Sequence, residues 1–285
     1  MKAIDYNPET LTEAVMRSGV WVQNMPMEAY HSYEGISNSG LNLVARSPAH
    51  YAHRAAFKST RAMDIGTAFH TALLEPDRFG SEYQVVNGID DRRKSEYKEA
   101  AKVFGGDKTL TASEGASVAV MSESVQANPD AREVLSAKGY AELSGFVEDP
   151  DTGALLRVRF DWLTVDARAV DIKKTQDARP FAFSRSVNNY RYHCQQAMYS
   201  HVFELIEGRP LESYQFLAIE EQPPCANVLY TLDHLAVQHG HTLYRDALSD
   251  YAIACESNEW PSYGTTSDVI GLPEYVMNEL EGEIV

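Results

Sequence analysis

Two carboxylates and a lysine stand at a spacing that suits metal-assisted hydrolysis. Asp161 ends an alternating run of polar and apolar residues, LLRVRFD, and Asp171 and Lys173 follow it ten and twelve residues later. Side chains two residues apart share one face of a strand, so Asp171 and Lys173 point the same way. If the segments pair as a hairpin, a divalent cation would relieve the repulsion between the carboxylates, and the lysine could orient or deprotonate a water molecule or neutralise a phosphoryl oxygen. A surface hairpin with alternating charges would show the same pattern.

A polar stripe is expected on the helix that follows these segments. Arg191, Gln195 and Tyr199 recur every four residues within a predicted helix from Ser186 to Glu207, so they lie along one face of it. A helix that packs into a core shows an apolar stripe instead. The polar stripe suits a surface that faces a polar ligand, although a solvated helix face would have the same composition.

The chain around these residues predicts an α/β fold. Five segments have the alternation and the flanking turn residues of strands, and the predicted helix separates the third from the fourth. We expect strands at Glu142–Val147, Leu155–Leu163, Ala169–Lys174, Tyr214–Ile219 and Asn227–Leu232, and a last long helix at His234–Glu256.

The first half of the chain is predicted to be mostly helical. The Ser-Asn-Ser-Gly run at 37–40 and Pro48 have the composition of helix N-termini. We expect helices from about residue 37, at His50–Phe57, at 62–75 and, two or three in number, within 91–137, with one short strand at Tyr83–Val86.

These elements predict a single domain over residues 1–285. Its first part, 1–139, is mostly helical and includes His70. The catalytic sheet and the helix with the polar stripe occupy 140–235, and C-terminal helices with an acidic tail occupy 236–285. A length of 285 residues is sufficient for one large core.

The histidines and one further carboxylate allow two interpretations each. His70 lies among apolar residues of the predicted helix 62–75, where a lone histidine is more often a packed core residue than a metal ligand. Glu142, on the first predicted strand, either supports the two aspartates or ends a solvated strand. His234, His239 and His241 have no carboxylate or cysteine at ligand spacing, and we interpret them as residues of a helix surface.

The order of these motifs resembles that of a known superfamily. Asp161, Asp171-x-Lys173 and Gln195-x-x-x-Tyr199 resemble the PD-(D/E)XK nuclease superfamily in its RecB-like branch. The runs ISNSGLNLVARSPAHY at 36–51, GTAFH at 66–70, VDIK at 170–173 and YRYHCQ at 190–195 look like the exonuclease domain of exodeoxyribonuclease VIII (RecE type) and its phage relatives. The resemblance covers about residues 28–275.

The resemblance implies a fold and a catalytic set. The fold is a restriction-endonuclease-like α/β core, in which helices flank a central mixed β-sheet. His70, Asp161 and Asp171 match metal ligands, together with the backbone carbonyl of Ile172, and Lys173 matches the catalytic lysine.

Further residues match positions that support the site or contact DNA. Gln195 and Tyr199 match the motif that supports the active site and touches DNA. Ser39 resembles the serine that contacts the terminal phosphate in the related lambda exonuclease, a role that suits a helix N-terminus because free N–H groups face the ligand there. The sequence departs from the superfamily pattern at Phe160, where the name has proline, and at Lys174, where relatives often carry threonine.

The family resemblance also implies an activity. We expect a Mg²⁺-dependent deoxyribonuclease, with Mn²⁺ as a possible substitute, that digests linear double-stranded DNA processively from 5′ to 3′ and leaves 3′ overhangs for recombination. The expected partners are double-stranded DNA ends, further copies of the chain in a ring-shaped trimer or tetramer, and a single-strand annealing recombinase of the RecT type. Two alternatives are a catalytically silent DNA-end or partner-binding module of the same fold and a PD-(D/E)XK endonuclease.

The charge of the chain opposes general nucleic-acid binding. It has 25 basic and 41 acidic residues, a formal charge of −16, whereas phosphate binding uses lysine and arginine. A ring would resolve this conflict if Arg157, Arg159 and Arg191 lined its hole and the acidic residues faced outward.

The sequence shows no sign of a membrane or secretory segment. No apolar run approaches the roughly 20 residues that a membrane-spanning helix needs, and the N-terminus has no apolar signal region. We therefore expect a cytoplasmic protein without membrane contact, encoded by a bacterium or a phage.

Overall fold

A seven-stranded mixed sheet forms the centre of the protein. The computed structural model describes residues 1–55, 58–264 and 269–272. The strand order in the sheet is β1-β2-β5-β6-β7-β8-β9, and β3 and β4 form a separate parallel pair. The strands are β1 (Ala3–Asp5), β2 (Val20–Gln23), β3 (Gln84–Val86), β4 (Thr109–Thr111), β5 (Gly139–Glu148), β6 (Leu155–Thr164), β7 (Arg168–Thr175), β8 (Ser213–Glu220) and β9 (Asn227–Tyr230).

Helices pack against both faces of this sheet. The helices are α1 (Glu13–Arg17), α2 (Met27–Ser32), α3 (Asn38–Arg46), α4 (Pro48–Ala52), α5 (Arg61–Leu74), α6 (Pro76–Glu82), α7 (Ser95–Phe104), α8 (Ala112–Ala127), α9 (Pro129–Leu135), α10 (Pro180–Asn189), α11 (Tyr192–Glu207) and α12 (His234–Ser257). Along β8, Phe216 and Ala218 belong to a core cluster with residues of α11 and α12. The alternate residues Leu217 and Ile219 belong to a second cluster with residues of α5 and α8. The predicted α/β fold with helices flanking a central mixed sheet is therefore confirmed.

The strands β5, β6 and β7 form an antiparallel meander, in which β6 and β7 are paired only over a short stretch. β5 and β6 pair from Gly139↔Thr164 to Glu148↔Leu155. β6 and β7 pair only at Trp162↔Val170 and Leu163↔Ala169. Beyond these pairs β7 continues beside β8 in parallel, up to Thr175↔Glu220. The separation opens a cleft between β6 and β7 where Asp161 and Asp171 lie.

The predicted helix Ser186–Glu207 is wrong in one respect, because it is two helices. α10 ends at Asn189 and α11 begins at Tyr192. Between them Arg191 has a left-handed backbone conformation, with φ +56°, which ends the helical hydrogen-bond ladder and changes the chain direction. No glycine or proline marks this corner, so the residue types did not indicate it.

The expectation of a helical first sixty residues is also wrong in part. β1 and β2 belong to the main sheet, and β2 pairs with β5 at Val20↔Phe146, Trp21↔Gly145 and Val22↔Ser144. The predicted helix His50–Phe57 is shorter, ending at Ala52, and Phe57 lies outside the described residues. The expected strand near Tyr83 exists as β3, but its partner β4 lies where only helices were expected.

Two expectations concern the remainder of the chain. The acidic tail lies outside the described residues. No helix in the described ranges is long and apolar enough to cross a membrane.

Candidate active site

The cleft between β6 and β7 brings the two predicted aspartates together. Asp161 and Asp171 follow directly on the last paired residues, Trp162↔Val170. The backbone N–H of Ile172 donates to Asp161 Oδ2 at 2.7 Å, so the carboxylate takes the place of a strand partner. This hydrogen bond fixes the Asp161 side chain in the cleft beside Asp171.

Helix α5 and strand β5 add two further groups to this cleft. His70 Nδ1 lies 3.6 Å from Glu142 Oε1 and 3.7 Å from Asp161 Oδ1. The three residues each offer one ligand atom, and these atoms lie within 4.8 Å of one another. Glu142 stands opposite Asp161 across the β5–β6 hairpin, between the pairs Ala141↔Trp162 and Leu143↔Phe160. Of its two interpretations, the structure therefore favours a residue of the site over a solvated strand end.

Lys173, Asp171 and Gln195 form a second cluster, directly beside the first. Lys173 Nζ lies 2.5 Å from Asp171 Oδ2 and donates to Gln195 Oε1 at 3.0 Å. Gln195 Nε2 donates to Asp171 Oδ1 at 2.6 Å. One amide thus holds both the carboxylate and the ammonium, which fixes the relative position of the two groups.

The close approach of α12 to α11 positions the helix that carries Gln195. A Cβ atom on Gly240 of α12 would lie 2.3 Å from the carbonyl oxygen of His193. Only glycine therefore allows the two helix backbones to come this close. This contact lies two residues before Gln195, so a displacement of α12 here would move the part of α11 that carries Gln195.

The polar stripe predicted from Arg191, Gln195 and Tyr199 does not exist as one surface. Gln195 is buried and faces the cleft. Tyr199 packs edge-on against Phe160, with ring centroids 5.0 Å apart, and its hydroxyl accepts from the backbone N–H of Arg159 at 3.4 Å. In the structure Tyr199 thus packs against β6 through Phe160 and the backbone of Arg159.

Arg191 lies apart from the cleft, near the beginning of α3. It lines a small pocket together with Asn38 and Asn42 of α3 and Tyr244 of α12. Ser39 lies in the same first turn of α3, and its hydroxyl is 3.0 Å from the hydroxyl of Ser37, the N-cap residue. Arg191 and the turn that contains Ser39 are therefore neighbours, which the sequence spacing alone did not indicate.

Arg157 and Arg159, which were expected to line a DNA channel, have hydrogen-bond partners within the protein. Arg159 Nε donates to Glu142 Oε2 at 2.7 Å, its Nη1 donates to the carbonyl oxygen of Met25 at 2.9 Å, and only 9% of its side chain is exposed. Arg157 Nη1 donates to the carbonyl oxygens of Tyr30 and Tyr33. Both guanidinium groups are occupied inside the protein. Arg159 holds Glu142 against His70, and Arg157 holds the segment after α2.

Lys174 points to the opposite side of β7, as expected. Its Nζ lies 2.8 Å from Glu221 Oε1 and donates to the carbonyl oxygen of Ala62 at 3.3 Å. His234, His239 and His241 are exposed on α12, as expected for a helix surface. Among the described residues they belong to no group of three or more metal-ligating side chains.

The crowded charges of the cleft shift the pKa values of its groups. Burial, together with the charges of Asp171 and Glu142, raises the pKa of Asp161 to about 7, against the effect of His70. Burial alone would lower the pKa of His70, but the charges of Asp161 and Glu142 raise it to about 9. Glu142 shows the reverse balance, because His70 and Arg159 outweigh burial and lower its pKa to about 2. The cleft therefore has an excess of negative charge that a proton or another cation must balance.

Lys173 is held in its charged form. Burial would lower its pKa, but the charges of Asp171 and Asp161 outweigh burial and raise it above its ordinary value. Lys173 can therefore orient a water molecule and offset negative charge, and it is a poor proton acceptor in this arrangement.

The residues of the cleft fit a divalent metal ion. His70, Glu142 and Asp161 supply one nitrogen and two carboxylate groups, and oxygen donors are the ligands that Mg²⁺ and Mn²⁺ prefer. The buried Oδ2 of Asp171 has no hydrogen bond of acceptable geometry, although Lys173 lies beside it. The close group of His70, Glu142 and Asp161 differs from the predicted set by including Glu142, and the predicted ligand Asp171 lies beside this group. The cross-strand position of Glu142 opposite Asp161 was the signal that could have found it.

Comparison with known proteins agrees with this fold. The central sheet, its flanking helices and the carboxylate–lysine cleft define the chain as a PD-(D/E)XK-like α/β protein. Residues 37–272 match the model of the family described as "PDDEXK-like domain of unknown function (DUF3799)", and the chain belongs to this family. No curated protein matches the sequence.

One solved structure shows the same fold over nearly its full length. It is described as a putative exonuclease from Eubacterium rectale, and its TM-score to this chain is 0.58 at 14% sequence identity. The alignment covers 91% of this chain and 99% of that chain. At this level of identity the likeness concerns the fold alone.

Proposed function

We propose that the protein is a metal-dependent deoxyribonuclease that hydrolyses phosphodiester bonds of DNA. The observation that carries the proposal is the joint position of Asp161, Asp171, Lys173 and Gln195 in the cleft of a PD-(D/E)XK-like sheet. A silent module of this fold would have no need of a partly buried lysine held by two partners. The complete cluster therefore favours an enzyme.

Each residue of the cleft has a role that follows from its contacts. His70, Glu142, Asp161 and Asp171 would hold the metal ion, and the resemblance adds the carbonyl of Ile172. Such an ion supplies Lewis-acid stabilisation of a phosphoryl oxygen and lowers the pKa of a bound water molecule.

Lys173 and Gln195 act beside these ligands. Lys173, kept charged by Asp171, positions the attacking water and offsets the charge that develops on the phosphate. Gln195 keeps Asp171 and Lys173 in register through its two hydrogen bonds.

The finer activity that we propose is processive 5′-to-3′ exonuclease action on linear double-stranded DNA. The RecE-type motifs support it, and so does the shared fold with a structure described as a putative exonuclease. The products would be 5′-phosphorylated nucleotides and a 3′ overhang that a RecT-type annealing recombinase could use. We further propose Mg²⁺ as the metal, a ring of three or four copies around the DNA, and action in the cytoplasm of a bacterium, from a bacterial or phage gene.

The test is digestion of linear duplex DNA labelled at either the 5′ or the 3′ end. We expect Mg²⁺-dependent loss of the 5′ label from linear DNA, abolished by EDTA and by Lys173→Ala. Lys174→Ala is the matched control, because this adjacent lysine faces the other side of β7 and should leave the activity intact. Cutting of covalently closed circles would indicate an endonuclease instead. A folded, metal-loaded protein that cuts nothing would overturn the proposal and favour the silent module.

A further inference from the structure

An exposed tyrosine stands at the corner between α10 and α11. Tyr190 is the residue after α10, and 64% of its surface is exposed. Its ring stacks on that of Tyr192, with centroids 5.6 Å apart and an angle of 26° between the planes. Burial of apolar surface contributes little free energy for a ring that is this exposed. The hydrophobic effect of folding therefore does not explain why Tyr190 stands at this corner.

The stack continues from this corner into the core. The Tyr192 ring lies at 24° to the buried Phe216, with centroids 5.7 Å apart. Lys173 Nζ lies 4.6 Å from the centroid of the Tyr192 ring. The outermost ring, Tyr190, therefore stacks directly on the ring that contacts the lysine of the proposed active site.

The backbone at the corner holds both rings in place. Arg191 between them has a left-handed conformation, φ +56°, that residues other than glycine seldom adopt. The amide of Tyr190 donates to the carbonyl of Ser186 and that of Arg191 to the carbonyl of Asn188, while the carbonyl of Arg191 accepts from Cys194. The two tyrosine rings are thus positioned before any ligand binds.

We propose that Tyr190 is a base-stacking residue, which binds a nucleobase of the DNA strand close to the bond that is cut. The inference rests on the proposed function, because it takes the scissile phosphate to lie beside Lys173. A base is joined to that phosphate through one sugar, and the inference places this base on the exposed face of the Tyr190 ring. Stacking uses the π-face that all four bases share. Tyr190 therefore positions single-stranded or unpaired nucleotides without a sequence preference.

The first test compares variants of Tyr190 by steady-state kinetics on linear duplex DNA. We expect Tyr190→Ala to lower kcat/KM about tenfold, since loss of one base–aromatic stack has an effect of this order. Tyr190→Phe keeps the ring and should stay within about twofold of the wild type. Phe181→Ala is the matched control, because Phe181 is also well exposed (75%) and lies at the other end of α10, roughly 14 Å along the helix axis.

The second test removes the base instead of the ring. Substrates carry a single abasic site at each of the first four nucleotides of the digested strand in turn. At one of these positions the difference between wild type and Tyr190→Ala should disappear, because the stacking partner is then absent. An equal loss on intact and on every abasic substrate would overturn the inference and assign Tyr190 a structural role. Full activity of Tyr190→Ala would also overturn it, while a wild type without activity would overturn the proposed function itself.

Discussion

Glu142 combines an unusual backbone conformation with contacts to the centre of the cleft. Its φ of +49° lies in the left-handed region within β5, where a non-glycine residue is rare. Such strain persists only where the surrounding structure holds it, and it often accompanies function. Here the conformation aims the carboxylate at His70, and Arg159 holds its other oxygen.

We predict that Glu142→Gln weakens metal binding by about tenfold to 100-fold, the loss typical of a group that supports a metal site. The neutral amide leaves His70 and Asp161 in place but removes one negative charge from the set. The measurement is the Mg²⁺ concentration for half-maximal digestion, together with Mg²⁺ binding by calorimetry.

Glu148→Gln is the control for this prediction. Glu148 lies on the same strand, is 41% exposed and pairs with Arg17 at the surface, so its loss should not change the Mg²⁺ dependence. If both variants need the same Mg²⁺ concentration as the wild type, Glu142 does not belong to the metal site.

At the scale of elements, the sequence predicted the longer strands, whose local pattern of polar and apolar residues is recognisable without knowledge of the fold. The strands β5 to β9 were predicted because of the alternation along them and the turn residues between them, and the site motifs on β6, β7 and α11 were identified with them. The short strands β1 and β2 were missed because three or four residues carry little pattern and their pairing is with distant parts of the chain. The corner at Arg191 was missed because neither glycine nor proline marks it.

The sequence left the role of Glu142 open and did not indicate the partners of Arg157 and Arg159, for a related reason. They depend on the register between β5 and β6 and on where the segment after α2 packs. Arg159 shares a strand face with Asp161, as the alternation indicated, but Glu142 and Met25 O occupy its guanidinium group. The alternation along a strand predicts the face on which a side chain lies, but it does not predict which residues the side chain contacts there.

The crossing of α11 and α12 yields a prediction for the helix that carries Gln195. Gly240→Ala would place a methyl group 2.3 Å from the backbone of His193, so the helices must move apart. We expect the free energy of unfolding to fall by about 1–3 kcal/mol and DNA digestion to weaken, because Gln195 leaves Asp171 and Lys173. Thermal unfolding and the digestion assay measure the two effects.

Gly80→Ala serves as the comparison. Gly80 lies on α6, where an added Cβ meets nothing within 4 Å, and alanine there should increase stability by up to about 1 kcal/mol. A Gly240→Ala variant as stable and active as the wild type would show that α12 does not set the position of α11.

At the scale of the whole molecule, the charge restricts how the protein can hold DNA. The net charge is −16, and two of the three arginines expected in a channel are occupied inside the protein. Each phosphate that a protein neutralises adds about one unit to the salt dependence of binding. If the proposed enzyme makes few such contacts, attraction alone would not retain the DNA during many cycles of digestion. A closed ring around the duplex would retain the DNA without them.

We therefore predict that digestion, once begun, continues when salt and competitor DNA are added together. Reactions on long end-labelled duplex DNA start at low salt and are then shifted to about 200 mM salt with excess unlabelled linear DNA. A closed ring that encircles the duplex cannot dissociate sideways from it, so the labelled strands should go on shortening. Binding of new DNA ends should stop. Duplex DNA closed by hairpins at both ends is the control, since a ring has no end on which to load. Immediate arrest of every strand would mean that the protein holds DNA by reversible contacts, and sedimentation velocity should then show no trimer or tetramer.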